Sequence, residues 1–183
     1  MQIQKISLGG NVSLRILKES DVSEEYVSWL NDPEVVQFTE ARHMRHTMES
    51  QRSYVSTNLG SEGSYLWGIF LSDSLVGTIR LARITDCNES ATVAFLLGSK
   101  KHWGKGITTR CVKAIEEIAK KDLGLKKLKA GYYLSNKGSA RVFQKLGWKV
   151  EGIQVGAPFF RGEERIDCVR VCKILEMRNP DYS

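Results

Sequence analysis

The stretch that most constrains this chain is residues 100–123. There Lys100-Lys101-His102-Trp103-Gly104-Lys105-Gly106-Ile107-Thr108-Thr109-Arg110 runs straight into a helical pattern. Ile107, Cys111, Ala114, Ile115 and Ile118 fall at helical spacing, and Lys113, Glu116, Glu117, Lys120 and Lys121 fall on the other side. Gly104 and Gly106 carry no Cβ, so the backbone can turn sharply and bring successive N–H groups, with the positive end of the following helix, onto one anion. Residues 90–97, apolar on both faces, deliver the chain into this turn as a strand. A strand, a glycine turn and an amphipathic helix in this order require an α/β unit whose turn is built for a group such as a pyrophosphate.

The rest of the chain supplies the layers around that unit. Residues 13–18 read as a short strand, and Glu19-Ser20-Asp21 as the start of a helix with Val22, Tyr26, Trp29 and Leu30 on its apolar side. Asn31-Asp32-Pro33 ends it. A second helix is expected over 47–59, capped by Thr47 and closed by Gly60, with an irregular, charged loop at 37–46 before it. Residues 65–71, 75–84 and 90–97 read as an antiparallel meander with turns at 72–74 and 85–88. After the glycine-turn helix, which Gly124 should stop, come a strand over 127–134, a short helix opened by Ser135-Asn136 and ended by Gly147, and strands over 148–155 and 165–175. Within the long helix, Glu116 with Lys120 and Glu117 with Lys121 are spaced for ion pairs. The expected fold class is α/β (α+β): a mixed, mostly antiparallel sheet of about seven strands with flanking helices. The strand–helix–strand crossover gives at least one parallel pair.

With 183 residues, 42% apolar and 26% charged, the chain suffices for a single domain over 1–183. No stretch reaches signal-peptide or membrane-span character, so a cytoplasmic protein with no membrane partner is expected. Cys87, Cys111, Cys168 and Cys172 form no C-x-x-C pair and stand far from His43, His46 and His102, which argues against a metal site or disulfides. Cys168 and Cys172 read as buried small hydrophobes on one strand face. The formal charge of +6 suits an anionic partner. The lysines are not interleaved with stacking aromatics, so that partner is not expected to be nucleic acid.

Taken together, Lys101-His102-Trp103-Gly104-Lys105-Gly106 and the segment from Tyr132 through Asn136, Ser139 and Phe143 to Trp148 resemble the GNAT superfamily of acetyl-CoA-dependent N-acetyltransferases. The branch resembled is the RimJ/RimL-like one, which also holds spermidine and nucleotide amino-sugar acetyltransferases. Leu14-Arg15-Ile16-Leu17, the run from Trp29 to Val35, Glu151-Gly152 and the strand containing Asp167 extend the likeness over 14–175. The resemblance implies a sheet splayed between the strand ending at Leu97 and the strand before Asn136, with acetyl-CoA in the opening. It implies that N–H groups from His102 to Thr108, through Trp103, Gly104, Lys105, Gly106 and Ile107, hold the pyrophosphate. Phe95, Leu96 and Leu97 would pair with the pantetheine arm as a strand does. Asn136 would hydrogen-bond the same arm or serve only as a helix cap. Lys100, Lys101, Lys105, Arg110, Arg141 and Lys145 border the coenzyme, one or two of them meeting its 3′-phosphate, and Phe143 packs beside it.

Acetyl transfer to an amine needs a neutral nucleophile, a site for an oxyanion and a proton for the thiolate. A backbone N–H on the 95–97 strand, assigned to Leu97, fits the oxyanion. Many relatives carry a carboxylate where Thr92 stands, and a threonine cannot accept a proton at neutral pH. The base is therefore sought at Glu89, with Glu40, Glu34, His43 or an ordered water as alternatives. Phe143 occupies the position of the usual acid tyrosine. Ser139 either donates to the thiol sulfur or merely lets the helix approach the coenzyme. Tyr132 and Tyr133 are read as core packing. Loops 37–46 and 159–164 should form the acceptor pocket for a small-molecule or peptide amine, a nucleotide-linked amino-sugar or a protein N-terminus foremost. A catalytically idle CoA-binding module is the alternative, and a homodimer is left open.

Overall fold

A computed structural model describes residues 5–85, 89–156, 160–161 and 164–175. Cys87 and most of the 157–163 loop lie outside them. One sheet of eight strands forms the centre, in the order β1-β2-β3-β4-β5-β6-β10-β7. Its members are β1 Ile6–Ser7, β2 Val12–Ile16, β3 Ser64–Leu71, β4 Ser74–Thr85, β5 Ser90–Leu97, β6 Lys127–Tyr133, β7 Lys149–Gln154 and β10 Cys168–Ile174. β8 Phe160–Arg161 and β9 Glu164–Arg165 pair only with each other. The seven expected strands are present, and the eighth is the two-residue β1, which has no periodicity to read. The last long strand begins at Cys168 rather than at 165. Every pairing in the large sheet is antiparallel except β5 with β6.

The helices are α1 Glu24–Leu30, α2 Pro33–Val36, α3 Met48–Gly60, α4 Ile107–Lys121 and α5 Lys137–Lys145. Glu19–Asp21 is a 3₁₀ turn rather than the start of α1. Asp21 is held there by a bidentate bond from Arg15 on β2, at 2.7 and 2.6 Å, and by the Lys18 N–H at 2.7 Å. Ser23, whose hydroxyl accepts from the Tyr26 N–H at 3.2 Å, is the true cap of α1. Thr47 and Ser50 form a reciprocal capping box at α3. Gly124 and Gly147 end α4 and α5 with φ of 63° and 68°.

The sheet separates two cores. Against one face pack Cys111, Val112, Ile115 and Ile118 of α4 on Ile79, Leu81, Val93 and Leu128. Against the other, Tyr26, Trp29 and Leu30 of α1 and Val55 of α3 meet Leu66 and Phe70. Gly98, just after β5, is where α1 touches this frame: a Cβ there would stand 2.1 Å from the Trp29 ring, so only glycine fits. Glu117 pairs with Lys121 at 2.8 Å as expected. Glu116 does not take Lys120; its carboxylate accepts from the Trp148 indole at 2.5 Å, and burial there raises its pKa. No described helix is long and apolar enough to cross a membrane.

One irregularity positions everything that follows. β5 and β6 are joined only at Ser90–Lys127, Ala91–Leu128 and Thr92–Lys129. Beyond Thr92 they part, yet β5 continues its ladder with β4 as far as Leu97, and β6 its ladder with β10 as far as Tyr133. The gap is therefore held open from both sides by paired strands.

Candidate active site

The gap opens into a cavity of about 1020 Å³, at the upper end of the range typical of cofactor sites. Residues 92–97 of β5 form one wall and Gly131, Tyr132 and Tyr133 of β6 the opposite one. The glycine turn and α5 close one end, and α2 with the turn after it closes the other.

At the glycine-turn end, Gly104 and Gly106 have φ of 74° and 71°, a region that costs an L side chain about 1–2 kcal/mol. The space where their Cβ atoms would stand is open. Gly106 is the N-cap of α4 and supplies no side chain to it. His102 and Trp103 N–H groups are used by the Ser99 and Lys100 carbonyls, and the next one donating to backbone is that of Arg110. Among the described hydrogen bonds none takes the N–H groups of residues 104–109, so six consecutive donors surround the positive end of a fifteen-residue helix. The expected donor run began at His102; the two leading groups are already satisfied, and the cradle starts two residues later.

Trp103 donates its indole N–H to the Leu97 carbonyl at 2.7 Å, fixing the turn to the end of β5. His102 Nδ1 lies 3.1 Å from Ser99 Oγ. Partial burial, then the charges of Lys105 and Lys101, lower its pKa. His102, Trp103, Gly104, Gly106, Ile107 and Thr108 all line the cavity; Lys101 and Lys105 are exposed beside it.

Asn136 performs the cap, its Oδ1 accepting from the Ser139 N–H at 3.0 Å. Its Nδ2 has no protein partner among the described residues, so the cap and a bond to a ligand do not compete. Asn136, Ser139, Arg141, Phe143 and Lys145 line the cavity. Phe143 is buried within an aromatic group, 4.8 Å from Trp148, 5.7 Å from Phe95 and 5.8 Å from Tyr132, centroid to centroid. Phe95, Leu96 and Leu97 border the gap as expected.

Glu89 stands elsewhere. It precedes β5 at the closed foot of the gap, where its carboxylate pairs with Lys126 at 2.5 Å and its carbonyl accepts from the Lys126 and Lys127 N–H groups. Its place outside the cavity removes it as the base. Among the described residues, the carboxylates in the cavity wall are Glu34 and Glu40. Lys100 binds Glu34 at 2.9 Å and Asp32 at 2.8 Å, holding Asp32 below the ordinary carboxylate range. Glu40 accepts from the Tyr133 hydroxyl at 3.2 Å and lies 3.9 Å from His43 Nε2.

Tyr133, read from the sequence as core packing, is buried, and its hydroxyl also reaches a carboxylate across the cavity. Neighbours on a strand face opposite ways, so Tyr132 stacks on Phe143 while Tyr133 reaches Phe38 and Glu40 on the other face. That alternation was the available signal. The 37–46 loop is also better ordered than its composition suggests. Asn31 and His46 exchange two bonds of 2.9 Å, and His46 lies 2.9 Å from both the Ala41 carbonyl and the Gln51 amide. A carbonyl only accepts, so Nε2 carries the proton and Nδ1 accepts from Gln51.

A strand gap ending in an uncapped glycine cradle is a cleft suited to an elongated ligand with an anionic end. A family model described as an acetyltransferase (GNAT) domain matches residues 11–149, and the chain belongs to the GNAT acetyltransferase family. It is similar to the probable N-acetyltransferase YjcK of Bacillus subtilis, 35% identical over 114 residues, 59% of this chain. That match spans 62% of the relative's length. Among solved structures, the RimL ribosomal L7/L12 alpha-N-protein acetyltransferase with coenzyme A superimposes with TM-score 0.83 at 17% identity, covering 93% of this chain and 98% of that one. A chimera of the Vibrio cholerae spermidine N-acetyltransferase SpeG and hSSAT gives 0.79 at 16% identity, with 90% and 96% covered. At these identities the structures show a shared fold.

Proposed function

We propose that the protein is an acetyl-CoA-dependent N-acetyltransferase that moves the acetyl group to a primary amine by direct attack in a ternary complex. The observation that carries this is the cradle of six unpaired N–H groups at the head of α4, opening on a gap between strands that other pairings hold apart. A pyrophosphate satisfies donors of that kind, and an extended arm with amide groups suits the open edge of β5. When bound, the thioester supplies an acetyl group already activated for transfer.

The chain's own residues would do the remainder. N–H groups of 104–108 hold the phosphates, with Lys101, Lys105, Arg141 and Lys145 near enough to the rim to meet further phosphate charge. The Asn136 amide holds the arm, and the Leu97 N–H faces the oxyanion. Ser139, whose hydroxyl has no protein partner among the described residues, donates to the sulfur. A thiol pKa of about 8.5 makes thiolate a fair leaving group without the missing tyrosine. Carboxylates at the far end suit an acceptor that arrives as an ammonium ion. A protein N-terminal amine and a nucleotide-linked amino-sugar are the acceptors of choice.

The test is free-thiol release from acetyl-CoA with a seryl peptide, a UDP-linked amino-sugar and spermidine. Release above background with one of them is the expected result. Tight CoA binding with no release for any amine would instead establish an idle module, the reading that Thr92 and Phe143 favour by standing where reactive side chains are usual.

A further inference from the structure

The acetyltransferase reading leaves one requirement unmet, because Thr92 cannot deprotonate an ammonium ion and Glu89 lies outside the cavity. Among the described residues two carboxylates line it, and their surroundings separate them. Glu34 is tied to Lys100, a permanent cation that also holds Asp32. Glu40 is not tied to a lysine. Among the described contacts it accepts from the Tyr133 phenol and lies 3.9 Å from His43, with the Arg42 guanidinium standing over the same Tyr133 ring. Tyr133 is the last residue of β6 and lines the same cavity as residues 92–97 of β5. Whatever bonds to its hydroxyl therefore stands beside the splay.

The turn carrying Glu40 is also firmly placed. His46 and Asn31 tie it to α1 and α3, and Arg42 donates to the Thr39 carbonyl at 2.9 Å while lying 5.1 Å from the Tyr133 ring centre. Burial, foremost, raises the Tyr133 pKa, so its hydroxyl keeps its proton and can go on donating to a carboxylate.

We propose that Glu40 is the catalytic carboxylate that receives the acceptor's ammonium group and takes its proton, and that Tyr133 is the residue that positions it. The inference rests on the acetyltransferase reading. One proton passes from R–NH₃⁺ to the Glu40 carboxylate. The freed lone pair forms the N–C bond to the acetyl carbonyl as the C–S bond breaks. The nitrogen then gives up a second proton and the thiolate takes one, so each turnover yields amide, thiol and one net proton to solvent. Glu40 returns its proton to water before the next acceptor binds.

The Glu40 side chain is 61% exposed, so Glu40→Gln should fold normally and bind CoA with unchanged affinity in a titration. At pH 7, using whichever amine of the panel the wild type turns over, the variant should lose about 10²–10⁴ in kcat/KM for the amine. The deficit should shrink at least about tenfold as the pH approaches the acceptor's own pKa, near 10 for an alkylamine, because more acceptor then arrives neutral. The groups facing Glu40 are His43 and Arg42 from its own turn and Tyr133 from β6; of these the glutamate alone changes in the variant. Glu40→Asp should recover part of the rate, and Tyr133→Phe should raise KM for the amine more than it lowers kcat. A Glu40→Gln rate within threefold of wild type, or a deficit constant across the pH range, would overturn the assignment while leaving the acetyltransferase reading standing. Absence of transfer by the wild type to every amine would overturn both.

Discussion

Phe143 belongs at once to the packed interior and to the cavity wall. Its ring is 3% exposed, with Phe95, Tyr132 and Trp148 around it, and one edge reaches the cavity. Phe143→Ala should cost about 3–5 kcal/mol in a denaturant titration, as for other large buried aromatics. Phe143→Tyr should fold like the wild type and, if protonation of the thiolate limits the reaction, raise kcat; unchanged turnover would place the limiting step elsewhere. The identities that matter here were open to inspection in the sequence. Thr92 and Phe143 stand out as departures, and Asn136 and Ser139 as an opening helix. What the sequence hid was the Tyr133–Glu40 bond, because its partners lie 93 residues apart and meet only through the fold. Glu89 is the opposite case: near in sequence to the strand that borders the cavity, it sits at that strand's closed foot.

At the scale of elements, helix ends were legible wherever a cap announces itself. Thr47, Asn136, Gly124 and Gly147 all act as local chemistry dictates. The 3₁₀ turn at Glu19–Asp21 was not legible, since its cause is a cross-element ion pair. Burial alone would raise the Asp21 carboxyl, but the Arg15 fork and the Lys18 N–H outweigh it and hold its pKa below the ordinary value. A carboxyl with a depressed folded-state pKa stabilises the fold above its unfolded pKa, about 3.9, and loses that contribution as pH falls through the lower, folded value. Asp21→Asn should therefore cost about 1–2 kcal/mol at pH 7 in urea unfolding, from lost charge-assisted bonds. The gap to wild type should hold down to about pH 5 and close below about pH 4. A gap independent of pH would mean that Asp21 acts by shape alone. The glycine turn belongs to the same scale. Gly106→Val forces a branched side chain into a left-handed conformation and crowds the donors of the cradle. Each hydrogen bond to a charged group contributes about 1.5–3 kcal/mol, so losing even two should weaken CoA binding at least about 100-fold. Circular dichroism unchanged from wild type would show that the loss is local, and unaltered CoA affinity would dismiss the turn as the phosphate site.

For the molecule as a whole, the splay makes binding and stability one subject. Pairing with β4 and β10 keeps β5 and β6 apart, so the open backbone edge exists before any ligand arrives. Lys100 joins the turn before the cradle to Asp32 and Glu34 at the start of α2, linking the two ends of the cavity. The parallel pair itself was readable from the strand–helix–strand order. Its arrest after three residues was not readable from periodicity, because residues 93–97 carry the same apolar pattern as the paired ones; only the family resemblance implied it. If the gap and cradle are preformed, CoA binds the native state with little rearrangement and stabilises it by mass action. At a concentration 100 times its dissociation constant the unfolding free energy should rise by about 2.7 kcal/mol. The added protection against hydrogen exchange should concentrate at the amides of residues 104–109, which have no acceptor among the described hydrogen bonds, and along 93–97. Gly106→Val should show neither the stabilisation nor the 104–109 protection at the same CoA concentration. Protection spread evenly over α1, α3 and the outer strands instead would mean that the ligand tightens the whole fold rather than filling a cleft already built.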